Sequence, residues 1–418
     1  DAQSISQIVS EVIYLNDGDY ALLSASKVEI FDKNNKKVDR KKINITSNVN
    51  FLNKDGFKHF MEKEIHQQPS ALINTISSLI QKDVDINISP EKLNIKENHG
   101  IIICAAGTSH YAAMVGKYWI EKFASIPVNV ELSSEYRYRN PVNTMYSSMI
   151  VISQSGESID TLMAMREAKR LNLKTTAIIN VENSTIDREA DYSIYTNVGP
   201  EVGVASTKSF TSQLIVLLSI AMKIAFFNNK INIEYYTDFI KNLKLIPNFM
   251  SKILSLNDEF VKLAQSIKNS KNVLYLGRGL LYPLALEGAL KLKELSYIHS
   301  EGFAAGEMKH GPIALIEEGL PIIMFLTSDG IEEKSISNLQ EAMARGGKIF
   351  LITDQKVLEK VSNIDNIVLI PSFEERWNDI FSPIFMSIPA QLIAYHVARE
   401  RGTDVDQPRN LAKSVTVE

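Results

Sequence analysis

The sequence predicts an α/β protein with two parallel β-sheets in tandem, each flanked by helices in a three-layer α/β/α arrangement. Three observations predict it. From residue 98 onward, apolar runs of strand length alternate with amphipathic helical stretches. Those runs are continuously apolar rather than alternating, which marks strands buried on both faces. The alternation also restarts, at IIICAAGTS and again at VLYLGRG, as a duplicated unit would.

In the first unit, strands are expected at Ile101–Cys104, Val128–Val130, Met149–Ser153, Thr175–Asn180 and Tyr192–Tyr195. Helices follow at Ala112–Ala124, Ile159–Leu171 and Thr211–Phe227. A helical stretch at about 233–268 leads to a second set of strands at Val273–Gly277, Ile322–Leu326, Ile349–Thr353 and Ile367–Ile370. A helix around Ile384–Arg399 closes that unit. Before residue 98 the pattern differs. Phe57, Phe60 and Met61, then Ile73, Ile76 and Ile80, recur at helical spacing around a break at Gln67-Gln68-Pro69, which reads as a helical connector. VIYLNDGDYALL and KVEIFDKNNKKV read as short strands with turns at Asn16-Asp17-Gly18 and Asn34-Asn35. So few strands cannot close a core alone, so this segment is expected to be the end of a larger domain rather than an appendage packed on the rest. The expected divisions are 1–56, a connector at 57–97, α/β units at 98–232 and 233–400, and a polar tail at 401–418.

Composition narrows the function classes. The chain has 418 residues, 45% hydrophobic and 22% charged, which suits a globular protein of two or three domains. A net charge of −4 offers no basic surplus to a nucleic-acid backbone or an anionic bilayer, so neither partner is expected. The longest nearly apolar run, Leu214–Phe227, is about 14 residues and short of a membrane span. The first residues lack a basic start and an apolar core, so no signal peptide is read there, and the location reads as cytoplasmic. One cysteine, Cys104, cannot form an internal disulfide, and no Cys/His cluster offers four ligands. No metal or organic cofactor is expected.

Ligands of parallel sheets bind where strands end and helices begin. Three such places carry small polar residues: Gly107-Thr108-Ser109, the run Ser153-Gln154-Ser155-Gly156-Glu157-Ser158, and Ser206-Thr207-Lys208-Ser209 after Gly199–Ala205. The serine run could hold a phosphate monoester on free amides at a helix N-terminus, and it reads equally as a serine-rich N-cap. No GxxxxGK[ST] run occurs, and Gly277-Arg278-Gly279 lacks its third glycine because Tyr282 stands there, so nucleotide motifs are set aside. On the helix opened by Pro283, Leu284, Gly288, Leu292 and Leu295 form an apolar face. Glu287, Lys291 and Glu294 form a polar stripe, either a solvated ion-pair ladder or a proton-shuttling pair. His310 follows on a Gly-punctuated loop, and Lys413 sits in the tail; both types are ordinarily surface groups.

SQSGES, GPEVGVASTKSFTSQL, ALEGALKLKELSYIHSEGFAAGEMKHGPIALI and DQPRNLAKSVTVE occur in that order. Together they resemble the glutamine–fructose-6-phosphate aminotransferase (glucosamine-6-phosphate synthase) family. HFMEKEIHQQPSALINTI is similar to its interdomain connector, and VIYLNDGDYALL to the last strands of its glutaminase domain. The resemblance implies two sugar isomerase (SIS) domains, sugar-phosphate binding in the first and most of the catalytic residues in the second. It implies that Ser109, Ser153, Gln154, Ser155 and Ser158 hold a sugar phosphate. Thr108, Ser206 and the backbone of Val204 and Ala412 would hold sugar hydroxyls. Lys413 would form a Schiff base with open-chain fructose 6-phosphate, and Glu294, assisted by Lys291, would move a proton between C1 and C2. His310 would open the sugar ring from a neighbouring subunit, so a homodimer is implied. The product would be glucosamine 6-phosphate, for amino-sugar and cell-envelope precursors, with ammonia drawn from glutamine in the whole enzyme. An iminium at C2 is an electron sink, so a carboxylate can take the adjacent proton, and a tail lysine can fold over the sugar as a lid.

The family pattern is departed from at Ser158, where threonine is usual, and at Ala106, where cysteine is common. The family's glutaminase nucleophile is an N-terminal cysteine, whereas this chain starts at Asp1. A truncated chain or proteolytic fragment, or else a natural split or relic chain, is therefore expected, in either case without glutamine hydrolysis. Two other readings compete: a fructose-6-phosphate/glucose-6-phosphate isomerase without amination, and a non-catalytic phosphosugar-binding SIS module.

Overall fold

The computed structural model describes residues 9–44, 53–81, 84–95 and 99–417. The chain divides into two compact units, Asp1–Asp55 and Gly56–Glu418. The first carries strands β1 (Glu11–Ile13), β2 (Tyr20–Leu23), β3 (Val28–Phe31), β4 (Lys37–Val38) and β5 (Lys42–Asn44), in an antiparallel β1–β5 pair and a β2–β3–β4 meander. Gly18 and Asn35 adopt positive φ at the turns, where the sequence places its turn signals. Ile30 is the one buried apolar side chain among this unit's described residues.

The second unit opens with the connector helices α1 (Phe60–His66) and α2 (Gln68–Leu79), which meet at Gln67, and a small β6–β7 hairpin (Ile80–Gln81, Asp85–Ile86). The first sheet then follows: β8 (Gly100–Ala105), α3 (Gly107–Trp119), β9 (Val128–Leu132), β10 (Tyr146–Ser153), α4 (Ile159–Arg170), β11 (Lys174–Ile179) and β12 (Tyr192–Tyr195). Its five parallel strands run in the order β12-β11-β10-β8-β9. Helix α5 (Lys208–Phe227) leads into α6 (Ile233–Leu243), α7 (Ile246–Leu254) and α8 (Asn257–Ile267). The second sheet comprises β13 (Asn272–Gly277), α9 (Tyr282–Ser296), β14 (His299–Ala304), β15 (Pro321–Leu326), α10 (Glu332–Met343), β16 (Lys348–Thr353) and β17 (Asn366–Leu369), before α11 (Glu375–Arg401). Its parallel order is β14-β13-β15-β16-β17, the same winding as the first. In both sheets the order of winding reverses between the first and third strands, leaving the crevice where open α/β sheets bind ligands.

Three differences from the sequence reading have physical causes. Residues 299–304 form the edge strand β14, although the glycines and charges there read as a loop. A Cβ on Gly302 would lie 2.6 Å from the Ala285 carbonyl, so the glycine serves close packing of α9 on the strand. Gly199–Ala205 is loop rather than strand, its backbone bound by side chains described below. Helix α11 begins at Glu375, well before Ile384, because it runs through Pro383 and Pro389. Pro383 has no N–H to offer the Asp379 carbonyl, and Ser382 Oγ supplies that bond at 2.8 Å.

α5 is 20 residues rather than the 14-residue run at its end, since its polar first turns are buried too. By length and composition, α5 and α11 could each cross a membrane; 83% and 100% of their apolar windows are instead buried inside the protein. Trp119 Nε1 donates to the Ile380 carbonyl at 3.1 Å, tying α3 to α11, while Trp377, Phe381, Phe385 and Phe249 stack around α11.

Gly302→Ala should force α9 away from β14 and cost about 1–3 kcal/mol of stability, as overpacking against backbone does. Urea unfolding would measure it, and an unchanged midpoint would contradict the close approach.

Candidate active site

The first sheet's crevice has a floor built from three chain segments. Gly107, at φ +54°, turns the chain from β8 into α3 and leaves Thr108 buried and Ser109 half-buried at the head of the helix. After β10, the serine loop is wired to itself. Ser153 Oγ accepts from Gly156 N and meets Ser158 Oγ at 3.1 Å, and Ser155 Oγ accepts from Glu157 N. Ser158 therefore precedes α4 without capping it through its side chain, so the plain N-cap reading gives way to a loop of converging hydroxyls at a positive helix end. Gly156 is required there: its φ is +65°, and a Cβ would stand 1.9 Å from Ser184 Oγ. Gln154 is half-buried beside these serines, its carbonyl taken by the Asn180 amide.

The third segment, 197–207, is organised by Glu201. This carboxylate is buried and accepts from the Thr207 and Ser209 amides at 2.9 and 3.2 Å and from Ser209 Oγ at 3.0 Å. Lys413 Nζ donates to its Oε2 at 2.7 Å and to the Gly203 carbonyl at 2.8 Å. Burial would raise the Glu201 carboxyl, but the Lys413 charge and these donors prevail and hold it at about 2.

The tail delivers Lys413 by crossing the crevice. The Asp406 carboxylate accepts from the Phe60 and Met61 amides at the start of α1, and its carbonyl accepts from Val204 N. Arg409 packs over the Tyr297 ring. Ser414 Oγ meets Ser155 Oγ at 3.0 Å, and the Val415 carbonyl takes the Ile159 amide at the head of α4. Ala412 is exposed beside Lys413, and Val204 and Ser206 are half-buried in the facing loop.

The second sheet contributes α9. Thr108 Oγ1 donates to Glu287 Oε1 at 3.2 Å, bridging the two halves. Lys291 Nζ lies 3.6 Å from Glu287 and 2.7 Å from Glu294. Glu287 and Lys291 are 0% and 1% exposed, so the stripe is a buried ladder and not a solvated one. Burial pushes Glu287 up to about 8, with Lys291 partly opposing. Burial works against the Lys291 cation, yet the two carboxylates overcome it and hold its pKa above the usual value. Lys291 is thereby held as a cation between Glu287 and Glu294.

The structure thus gathers Thr108, Ser109, the serine loop, Val204, Ser206, Ala412 and Lys413 at one crevice, with Lys291 and Glu294 reached through Glu287 and Thr108. It does not gather His310. That side chain is exposed on the turn after β14, and among the described residues no hydrogen bond or ion pair joins it to the others. Sequence reasoning missed Glu64 and Glu201. An acidic residue within the otherwise small and apolar EVGVAS, and one on the inward face of α1 beside Met61 and Ile65, were the available signals.

Residues 94–223 and 266–401 match the SIS domain family. The glutamine–fructose-6-phosphate aminotransferase (isomerizing) of Bradyrhizobium diazoefficiens is 46% identical over 422 residues, spanning 100% of this chain and 69% of that protein. The chain belongs to the glutamine–fructose-6-phosphate aminotransferase family. A solved C-terminal domain of glucosamine-fructose-6-phosphate aminotransferase from Francisella tularensis matches with a TM-score of 0.81 and 42% identity, over 85% of this chain and 100% of that one. A glucosamine-6-phosphate deaminase from Thermotoga maritima, at 22% identity and a TM-score of 0.65 over 85% of this chain and 99% of that one, shares the fold alone. The chain therefore carries the isomerase half of an aminotransferase family, with two SIS domains in tandem.

Glu201→Gln should cost about 3 kcal/mol near neutral pH, the scale of a buried pair broken at one partner. The folded pKa of Glu201 lies below its ordinary 4.5, so this loss is full above that pH and fades as pH falls toward about 2. Urea unfolding of both proteins across that range measures it; a difference independent of pH would contradict an ionised Glu201.

Proposed function

We propose that the chain is the isomerase and synthase part of a glucosamine-6-phosphate synthase, converting fructose 6-phosphate and ammonia to glucosamine 6-phosphate, with the ammonia drawn from glutamine in the whole enzyme. The observation that carries this reading is Lys413, an amine brought by the tail onto a buried carboxylate beside a helix N-terminus lined with hydroxyls. Ser109, Ser153, Gln154, Ser155 and Ser158 bind the phosphate, where amides and the α4 dipole favour a dianion. Thr108, Ser206 and the Val204 and Ala412 backbone orient the sugar hydroxyls.

Lys413, once its ammonium has given up a proton, attacks the C2 carbonyl of the open-chain sugar; the carbinolamine hydroxyl takes up a proton and leaves as water, giving an iminium. Ammonia then adds at C2 and releases the lysine, leaving a protonated C2 imine. Glu294 takes the C1 proton, and the C–H electron pair shifts toward nitrogen to give a neutral enaminol. Glu294 returns that proton at C2 while the C1 hydroxyl gives its own to water, leaving an aldose with a 2-amino group. Lys291, a cation at 2.7 Å, keeps Glu294 in place and steadies the negative charge that develops on oxygen. A cytoplasmic location accompanies this role, since a charged sugar phosphate does not cross a bilayer unaided.

The decisive experiment is an NMR time course with fructose 6-phosphate and an ammonium salt, against a glutamine-only control. Glucosamine 6-phosphate from ammonium is expected. Glucose 6-phosphate alone would favour isomerisation without amination, and bound sugar without turnover would favour a binding module. Lys413→Ala should lower turnover by about a thousandfold while sugar still binds; unchanged turnover would exclude the Schiff base.

We also propose a homodimer in which His310 opens the sugar ring in the partner's site. Its exposure away from the crevice of its own chain supports this. Mixing inactive His310→Ala and Lys413→Ala proteins should restore up to about a quarter of the activity, as random pairing leaves some intact sites. No recovery from exchanging subunits would refute a shared site.

A further inference from the structure

One carboxylate beneath the crevice takes no part in the steps above. Glu64, on the connector helix α1, is 2% exposed. Its Oε1 accepts from the Val202 and Gly203 amides at 2.5 and 3.3 Å. Its Oε2 packs on Gly203, where a Cβ would stand 3.0 Å away, and is buried without a hydrogen-bond partner among the described residues. The backbone that Glu64 grips is also the seat of the lysine: the Gly203 carbonyl holds Lys413 Nζ at 2.8 Å. The next amide, Val204 N, is bound by the carbonyl of Asp406, whose carboxylate is itself anchored on the Phe60 and Met61 amides. Within one turn, α1 therefore holds both the loop beneath Lys413 and the tail that carries it.

We infer that Glu64 is a positioning residue for Lys413: its ionised carboxylate fixes the 202–203 backbone so that the Gly203 carbonyl aims the lysine at the sugar carbonyl. The inference rests on the Schiff-base reading of Lys413. A carboxylate accepts stronger hydrogen bonds from amides than a neutral acid does, so losing the charge slackens the clamp. Burial, reinforced by the Glu201 charge and opposed by Lys413 and Lys208, raises the Glu64 carboxyl to about 7. The groups around it are Glu201 from the 197–207 loop, Lys208 at the head of α5, Lys413 and Asp406 from the tail, and Lys63 on its own helix. Glu64 is ionised and the clamp tight above that pH; below it the carboxyl is neutral and the clamp loose.

Borohydride trapping of the fructose 6-phosphate adduct, located by peptide mapping, reads imine formation at Lys413 directly. Glu64→Gln keeps an acceptor oxygen but never ionises. Its trapping should be about tenfold slower than the unaltered protein's at about pH 8, narrowing to within about twofold at about pH 6. Glu64→Asp, which can still ionise, should recover part of the rate at the higher pH. A deficit of equal size at both pH values would make Glu64 merely structural and overturn the inference, as would a Gln variant that traps faster at the higher pH. Should Glu64→Gln fail to fold, carboxyl-13C NMR of the unaltered protein decides, the Glu64 signal being the one lost in Glu64→Asp. Titration between about pH 6 and 8 supports the inference, and its absence overturns it. If the unaltered protein forms no adduct on Lys413 at any pH, the Schiff-base reading falls and this inference falls with it; an adduct with a pH-independent deficit removes the inference alone.

Discussion

A carboxylate with no access to water must find its compensation inside the protein, and Glu201 finds it on two distant stretches of chain. The Thr207 and Ser209 amides at the head of α5 and the ammonium of Lys413 in the tail all converge on it. Leaving such a charge unpaired is costly, so each donor is under strong pressure to stay. The path of the tail over the crevice, the entry to α5 and the shape of the 197–207 loop all follow from that one demand. The same charge that holds the architecture together keeps a reactive amine next to an anion-binding helix end.

The fold is duplicated, but its two crevices are not used alike. In the first sheet the loop after β10 presents serine hydroxyls around a helix end that the tail crosses. At the matching place after β15, Asp354 turns its carboxylate inward and takes the Ser328 amide and hydroxyl at 2.8 and 2.9 Å, with Asn378 beside it. A negative charge already bound to those donors disfavours a phosphate there. The second sheet instead lends α9, whose Glu287–Lys291–Glu294 ladder meets the first sheet through Thr108. Duplication has yielded one binding floor and one wall of proton-transfer groups.

Much of the fold was legible because period and length carry it. Continuous apolar runs such as Ile101–Cys104 belong to strands covered on both faces, and they are strands. Where the pattern misled, packing had overruled local chemistry. Polar, glycine-bearing 299–304 pairs as a strand because β13 offers it an edge and Gly302 admits α9. Pro383 does not end α11 because Ser382 makes good the missing hydrogen bond. The candidate site was legible only in part. Ser153 to Ser158 stand together in sequence and in space, whereas Glu64 and Glu201 look like ordinary acidic residues until burial and Lys413 give them meaning.

The class of fold, the tandem repeat, the serine loop and, through its motifs, the family could be read along the chain, since these depend on periodicity and on residues adjacent in sequence. Which charges are buried, and with whom, emerges only once the chain has folded. Folding turned the Glu287–Lys291 stripe into a buried ladder, brought Lys413 onto Glu201, and left His310 exposed away from both. Electrostatic roles depend on the dielectric and on partners tens or hundreds of residues away, and neither is written in local sequence.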